Sequence, residues 1–298
     1  MGSVMNIALL GYGKIAADSH VPAIAATPGV TLAAVISRRG EGPPGVPVFP
    51  SLAALAESGL SVDAISLANR PAERFATAME ALARGWHVML EKPPAATVAQ
   101  AEALVAAAGP LTLFATWHAR ENAAVDAARE LLRTRTITAV RIVWREDVNK
   151  WHPGQDWVWQ PGGFGVFDPG INALSILTSL VPGDTRMQSA HLIRPPGKPM
   201  PIIATLDFSQ AGIPVHAHFD WSPVATETWD IAFDTREGPL LLSNGGATLH
   251  VDGTLVETPH LPEYQRLYAR FAALEKAGAS DADLSPLIIV EAAFAAAP

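Results

Sequence analysis

The chain has 298 residues, 49% of them hydrophobic, no cysteine, and a formal net charge of −8 from 29 acidic and 21 basic side chains. That length exceeds one usual domain and the apolar fraction suffices for sizeable cores, while the missing thiols remove disulfides, cysteine nucleophiles and thiolate metal sites. The negative balance without a basic tract argues against nucleic acid as a partner. The lack of an apolar run of about 18 residues, or of a basic stretch ahead of a shorter one, argues against membrane insertion and secretion, so a cytoplasmic protein is expected.

The first strand is expected over 6–10 and runs directly into Gly11-Tyr12-Gly13-Lys14-Ile15-Ala16. This fits G-x-G-x-x-A at a strand-to-helix turn. Gly11 permits the tight turn, Gly13 lets backbone approach a pyrophosphate, and Ala16 lets the helix lie close on the sheet, with its first N–H groups facing the anion. A second strand, 31–36, follows at βαβ distance and ends in Ser37-Arg38-Arg39. An NAD site usually carries a carboxylate there for the ribose 2′-hydroxyl; a hydroxyl and two guanidinium groups suit a 2′-phosphate, with a solvated basic turn as the competing reading. The residues expected at a dinucleotide, NADP in preference to NAD, are Gly11, Gly13, Lys14, Ile15, Ser37, Arg38, Asn69, Glu91 and Lys92.

Further strands are expected at Ala64–Leu67, His87–Leu90 and 111–115, alternating with helices. Pro71 suits the first turn of a helix running to Ala83, and Thr97-Val98-Ala99-Gln100 is a capping box opening a helix to Ala108. After a connecting helix near 122–132 the pattern turns to period two, over 138–146, 188–193, 202–208, 215–221, 229–234 and Leu240–Ser243, which predicts a largely antiparallel sheet. A terminal helix over 285–297 is expected to pack back on the body. The domains expected are 1–119 and 120–298, and the fold class is α/β.

Glu146 continues the Val140, Ile142, Trp144 face of its strand, so a carboxylate ends an otherwise apolar face and points to a cleft. Four of the eight tryptophans, Trp144, Trp151, Trp157 and Trp159, fall within sixteen residues, interleaved with Glu146, His152, Gln155 and Asp156. A sugar offers an apolar C–H face to an aromatic ring and a rim of hydroxyls to fixed donors and acceptors, which this mixture matches. Tryptophans covering a sheet edge, and a structural salt bridge or satisfied core histidine for Glu146 and His152, are the alternatives. His216, His218 and Asp220 alternate on one strand face with metal-ligand spacing, but a polar sheet face or subunit contact is preferred there, and no metal is expected.

Gly11-x-Gly13-x-x-Ala16, Glu91-Lys92-Pro93 and Gly162-Gly163-x-x-x-x-Asp168-x-Gly170, in this order over essentially the whole chain, resemble the Gfo/Idh/MocA oxidoreductases. The segments Phe114-Ala115-Thr116-Trp117-His118, Trp151-His152-Pro153-Gly154-Gln155 and Phe167-Asp168-Pro169-Gly170-Ile171-Asn172 are most similar to its bacterial aldose 1-dehydrogenases of L-arabinose or D-galactose. The resemblance implies an N-terminal Rossmann dinucleotide-binding domain and a C-terminal α/β domain with a large open, mostly antiparallel sheet. It further implies oxidation of the anomeric carbon of a small-molecule sugar and a homo-oligomer, a dimer through the open sheet. On resemblance alone, His118 and Trp229 join Glu146, Trp151, His152 and Asn172 at the sugar.

Many members place a histidine where this chain has Asn172, which cannot carry a proton near neutral pH. Oxidising a hemiacetal to a lactone still requires a group that accepts the O1 proton. Asp168 is the first candidate, with an N-cap role before Pro169 as its structural alternative, and Lys92 the second; a relay shared by the two is a further option. A non-catalytic sugar or NADP sensor on the same fold, and a reductase of another carbonyl, are the competing functions. Retention of both Lys92 and Asp168 speaks against the sensor, and the aromatic, polar 151–159 segment against the other reductase.

Overall fold

The computed structural model describes residues 4–259 and 262–297, and the chain divides into two compact units. The first runs up to Thr116 and is rejoined by Pro262–Leu284; the second begins at Trp117 and is rejoined from Ser285.

In the first unit the chain alternates β1 (Met5–Leu10), α1 (Val21–Ala26), β2 (Val30–Ile36), β3 (Val48–Phe49), α2 (Leu52–Glu57), β4 (Ala64–Leu67), α3 (Pro71–Ala83), β5 (His87–Leu90), α4 (Val98–Ala108) and β6 (Leu113–Ala115). These strands form one parallel sheet in the order β3-β2-β1-β4-β5-β6. With helices over both faces the central strands are mostly apolar, and all four residues of β4, Ser66 included, are buried. Strand order reverses between β1 and β4, and ligands bind such sheets outside the carboxyl ends of the strands at that switch point. Ser51 caps α2 through its hydroxyl. Thr97 accepts from the Gln100 N–H at 3.2 Å, but the Gln100 side chain takes the Ala96 N–H instead of that of Thr97, so only half of the expected capping box forms.

The second unit holds α5 (Ala123–Leu132), β7 (Ile137–Arg145), α6 (Val148–Trp151), α7 (Phe167–Leu180), β8 (Thr185–Ile193), β9 (Ile203–Gln210), β10 (Ile213–Asp220), β11 (Thr228–Thr235), β12 (Leu240–Ser243), β13 (Thr248–Val251) and β14 (Thr254–Val256). Its sheet has the order β14-β13-β12-β11-β7-β10-β9-β8, with only the β7–β10 pair parallel. Val140, Ile142 and Trp144 point into the core from β7, as the alternation predicts. Helix α7 crosses this face so closely that a Cβ on Gly170 would lie 2.7 Å from the Phe219 ring. On the opposite face His216 Nδ1 meets Asp207 at 2.7 Å and His218 Nδ1 meets Thr205 at 3.1 Å. The histidines of the metal-like spacing therefore serve cross-strand pairs.

Two helices complete the chain, α8 (Glu263–Ala277) in the first unit and α9 (Ser285–Ala296) in the second, where it packs on α7 and β8. Assigning everything past residue 119 to the second domain thus misplaces α8. Its Tyr264, Leu267, Tyr268, Phe271 and Leu274 recur at helical spacing and join Met5, Ile7, Ile24, Met89 and Phe114 in one core. Burying Leu267 and Phe271 contributes about 1.5–3 kcal/mol each. Gly278, at φ +62°, closes the helix in the left-handed conformation that glycine adopts without penalty. No helix among the described residues is long and apolar enough to cross a membrane.

Candidate active site

In the first unit the glycine turn lies at the sheet's switch point. Gly11 has φ +91°, and a Cβ there would sit 3.0 Å from both the Ala68 carbonyl carbon and the Asn69 nitrogen, so the turn presses against the chain leaving β4. At Gly13 an added Cβ would meet no protein atom within 4 Å. Protein packing therefore does not demand that glycine, and the space beside it is open to close approach of a pyrophosphate. A helix starts at Lys14; its 16–20 turn is a π turn, placed just ahead of Pro22, which cannot donate back to the preceding turn. Ala16 is fully buried, Lys14 is exposed and paired with Asp18, and Ile15 is 41% exposed.

Ser37, at the end of β2, is buried, while the exposed Arg38 is held 3.2 Å from Glu73. Arg39 bonds the Tyr12 carbonyl at 2.9 Å and Glu41 at 2.9 Å, tying the end of β2 to the glycine turn. Asn69 donates to Thr77 at 3.2 Å, and its buried Oδ1 accepts no hydrogen bond. Among buried amides such an oxygen is unusual, and a ribose or nicotinamide donor would satisfy it. These residues fit a nicotinamide dinucleotide.

The Glu91-Lys92-Pro93 turn follows β5, with a cis bond between Lys92 and Pro93. Buried Arg74 on α3 ties it down, donating to the Glu91 carbonyl at 2.6 Å and to the carbonyls of Pro93 and Asn69. The Glu91 carboxylate, expected at the cofactor, turns inward instead. It accepts the Lys92 N–H at 2.9 Å and the Tyr264 hydroxyl at 2.8 Å, and lies 3.2 Å from His20 Nε2. His20 Nδ1 in turn meets the Tyr268 hydroxyl at 2.7 Å, which bonds Ser66 at 3.0 Å. Burial, reinforced by the Glu91 charge, holds the Tyr264 hydroxyl well above the ordinary phenol range. Sequence reasoning missed Arg74, His20 and both tyrosines, although the helical spacing of α8 was there to be read.

In the second unit two indoles converge on Glu146. Trp221 Nε1 donates to Oε1 at 3.1 Å and Trp229 Nε1 to Oε2 at 3.0 Å, and the carboxylate is buried as its place on the β7 face predicts. Around it the aromatic rings form one wall: Trp229 contacts Trp144 and Trp151, and Trp221 contacts Trp159 and His152. Trp151, 45% exposed, donates from Nε1 to Glu227 at 2.6 Å with Lys150 beside it. Burial works to raise the Glu227 carboxyl, but the bonds from Lys150 and Trp151 outweigh it and hold the group below its usual range. Trp221 and Glu227 were not anticipated as site residues; each lies about 75 residues from its partner in sequence.

Asp168 is the second residue of α7, and the capping position belongs to Val166, with no side-chain cap bond, so the N-cap alternative for Asp168 does not hold. Instead its Oδ2 lies 3.2 Å from His152 Nε2, with both side chains mostly buried. The other ring nitrogen of His152 lies 3.3 Å from Gln155 Oε1. Both nitrogens of His152, expected to serve sugar hydroxyls, thus face protein groups. Asn172, one turn after Asp168, keeps a buried Oδ1 with no hydrogen-bond partner. The approach to α7 is dictated by packing: a Cβ on Gly163 would fall on the carbonyl oxygens of Trp157 and Val158, and one on Gly165 on that of Pro201. His118 starts a short turn leading to α5, partly exposed. Among the described residues no group of three or more His, Asp or Glu side chains could hold a metal ion.

A parallel sheet with a glycine turn at its switch point, a lysine-bearing turn beside it and a separate antiparallel-sheet unit defines a dinucleotide-dependent oxidoreductase. Residues 5–112 match the family described as "Oxidoreductase family, NAD-binding Rossmann fold". The chain is 44% identical to a galactose 1-dehydrogenase of Pseudomonas fluorescens over 297 residues, 97% of this chain and 95% of the relative. It is also similar to the crystal structure of a D-galactose-1-dehydrogenase protein from Rhizobium etli (TM-score 0.95, 44% identity, 100% and 96% of the two chains). At 18% identity, a 3-ketoreductase of Actinomadura kijaniata solved with NADP shares the fold, with a TM-score of 0.87 over 99% and 98% of the chains. The chain belongs to the Gfo/Idh/MocA family of oxidoreductases.

Proposed function

We propose that the protein oxidises an aldose, D-galactose, L-arabinose or a sugar of the same configuration, at C1 to the aldonolactone with NADP preferred over NAD. The observation that carries this is the 44% identity with a galactose 1-dehydrogenase along 97% of the chain. Beside it stands the pairing in one unit of an aromatic wall with buried polar groups, Glu146, Asp168 and Asn172. Nicotinamide supplies the hydride acceptor for C1; the chain's own residues must bind both molecules and take the O1 proton.

Gly11, Gly13, Lys14 and Ile15 would receive the pyrophosphate, Ser37 and Arg38 the 2′-phosphate, and Asn69 a donor of the ribose or nicotinamide. Trp151 and Trp229 present apolar ring surface to the sugar's C–H face; Glu146, Asn172 and His118 are assigned to its hydroxyls. Asp168 is assigned the proton, with Lys92 in the supporting position at the carboxyl end of β5. A cytoplasmic homodimer through the open sheet completes the reading.

The test is turnover of about a dozen aldoses with NAD and NADP, followed by nicotinamide absorbance. D-Galactose and L-arabinose share configuration at C2, C3 and C4 and should both react. Glucose, epimeric at C4, should lose about 5- to 150-fold in kcat/KM, the cost of leaving roughly 1–3 kcal/mol of hydrogen bonding unmade. Equal efficiency for glucose and galactose would remove the polar rim from the proposal, and no turnover of any aldose would remove the proposal itself.

A further inference from the structure

The proton's destination can be followed one residue further than Asp168. Trp157 Nε1 can only donate, and the Gln155 side-chain atom it meets at 2.8 Å must therefore be the carboxamide oxygen. That oxygen can only accept. His152 Nδ1, 3.3 Å from the same atom, must consequently face it with an N–H. In a neutral imidazole with its hydrogen on Nδ1, Nε2 carries a lone pair, and this Nε2 lies 3.2 Å from Asp168 Oδ2. A lone pair and a carboxylate oxygen repel unless one proton lies between them, and low exposure on both sides denies them the screening of water. The ring is not free to turn away from this arrangement, because Trp157 and Trp221 contact it edge-on at 5.9 and 5.3 Å. Glu146 holds Trp221 and Trp229, and Asp156 pairs with Lys198 at 3.0 Å.

We propose that His152 and Asp168 form a one-proton dyad, fixed by Gln155 and Trp157, that takes up and holds the proton released from the sugar's anomeric hydroxyl. This rests on the dehydrogenase reading above. In the balanced step the C1–H bond breaks with its electron pair passing to the oxidised dinucleotide, C1–O1 becomes a double bond, and the O1 proton enters the dyad. Its arrival replaces the repulsion between Nε2 and Oδ2 by a charge-assisted hydrogen bond, so the site is better bonded after the transfer than before it. His152 thereby supplies, from α6 and its following loop, the imidazole that Asn172 cannot.

Nitrogen-15 NMR of protein labelled at histidine, with NADP bound and without it, tests the proposal, the His152 signals being assigned by their loss in His152→Gln. The expected result is a neutral ring with its hydrogen on Nδ1; a ring already carrying both hydrogens would leave no place for the O1 proton and would overturn the dyad. A neutral ring with its hydrogen on Nε2 would overturn it as well. Gln155→Leu removes the acceptor, so the ring should change to the Nε2–H form, with kcat down about 10- to 100-fold and the sugar KM within about threefold. A changed ring with unchanged kcat would also overturn it. Asp168→Asn separates the two levels: normal turnover in that variant defeats the base assignment itself. A slow Asp168→Asn beside a normal His152→Gln defeats the dyad alone.

Discussion

Tyr264→Phe removes one hydroxyl and leaves the ring edge-on to His20, with centroids 4.8 Å apart. What is lost is the 2.8 Å bond to Glu91 Oε1, a hydrogen bond to an ionisable carboxyl beneath the Lys92 turn. Bonds of that kind contribute about 1.5–3 kcal/mol, and the stability at pH 7 should fall by that amount. The alkaline limb carries a second, independent signature. Burial first, and the Glu91 charge after it, raise Tyr264; burial likewise raises Tyr268. The folded protein keeps both phenols neutral at pH values where the unfolded chain ionises. Their stabilisation is complete below pH of about 10 and is lost as pH rises further, at about 1.4 kcal/mol per pH unit for each tyrosine. Above that pH the parent should therefore lose stability more steeply than Tyr264→Phe, by one tyrosine's share. Urea unfolding followed by circular dichroism between pH 7 and 11 measures both. A variant within about 0.5 kcal/mol of the parent at pH 7, and equally steep above pH 10, would refute the reasoning.

Arg38→Ala should lower kcat/KM for NADP relative to NAD by about 5- to 150-fold, because a charge-assisted bond to the 2′-phosphate contributes roughly 1–3 kcal/mol; an unchanged ratio would show that Arg38 does not read that phosphate. Asp230 lies partly buried on β11 and desolvation raises its carboxyl, against a smaller opposing pull from His250. A carboxyl raised in the folded state favours folding only while protonated, so its contribution is present below about pH 4 and lost above it. Asp230→Asn should therefore stabilise the protein at pH 7, with the gain shrinking on acidification through that range, as thermal melting at several pH values would show.

The motifs that carry their meaning locally were legible in the chain. Gly11, Gly13 and Ala16 act through turn sterics and helix packing within six residues of each other, and the β7 face ending in Glu146 follows from the alternation of a pleated strand. Periodicity likewise located most strands and the helices of the first half, because burial on one face imposes a repeat. Short elements such as β3 and β14, two and three residues long, give too few repeats to register. The helical spacing of α8 was readable, but which unit it would join was not, since an apolar face specifies burial without naming its partner. Only the tertiary structure brings Tyr264 to Glu91 across 173 positions, or Trp221 and Trp229 to Glu146 across 75 and 83. The same holds for Asp168, whose local sequence before proline reads as a helix cap. The packing of the Gly163 and Gly165 turn starts the helix two residues earlier, leaving the Asp168 carboxylate beside His152. Residue types and local spacing determine which groups are available. Long-range packing, through hydrogen bonds whose partners are distant in sequence, decides which of them meet and in what protonation state.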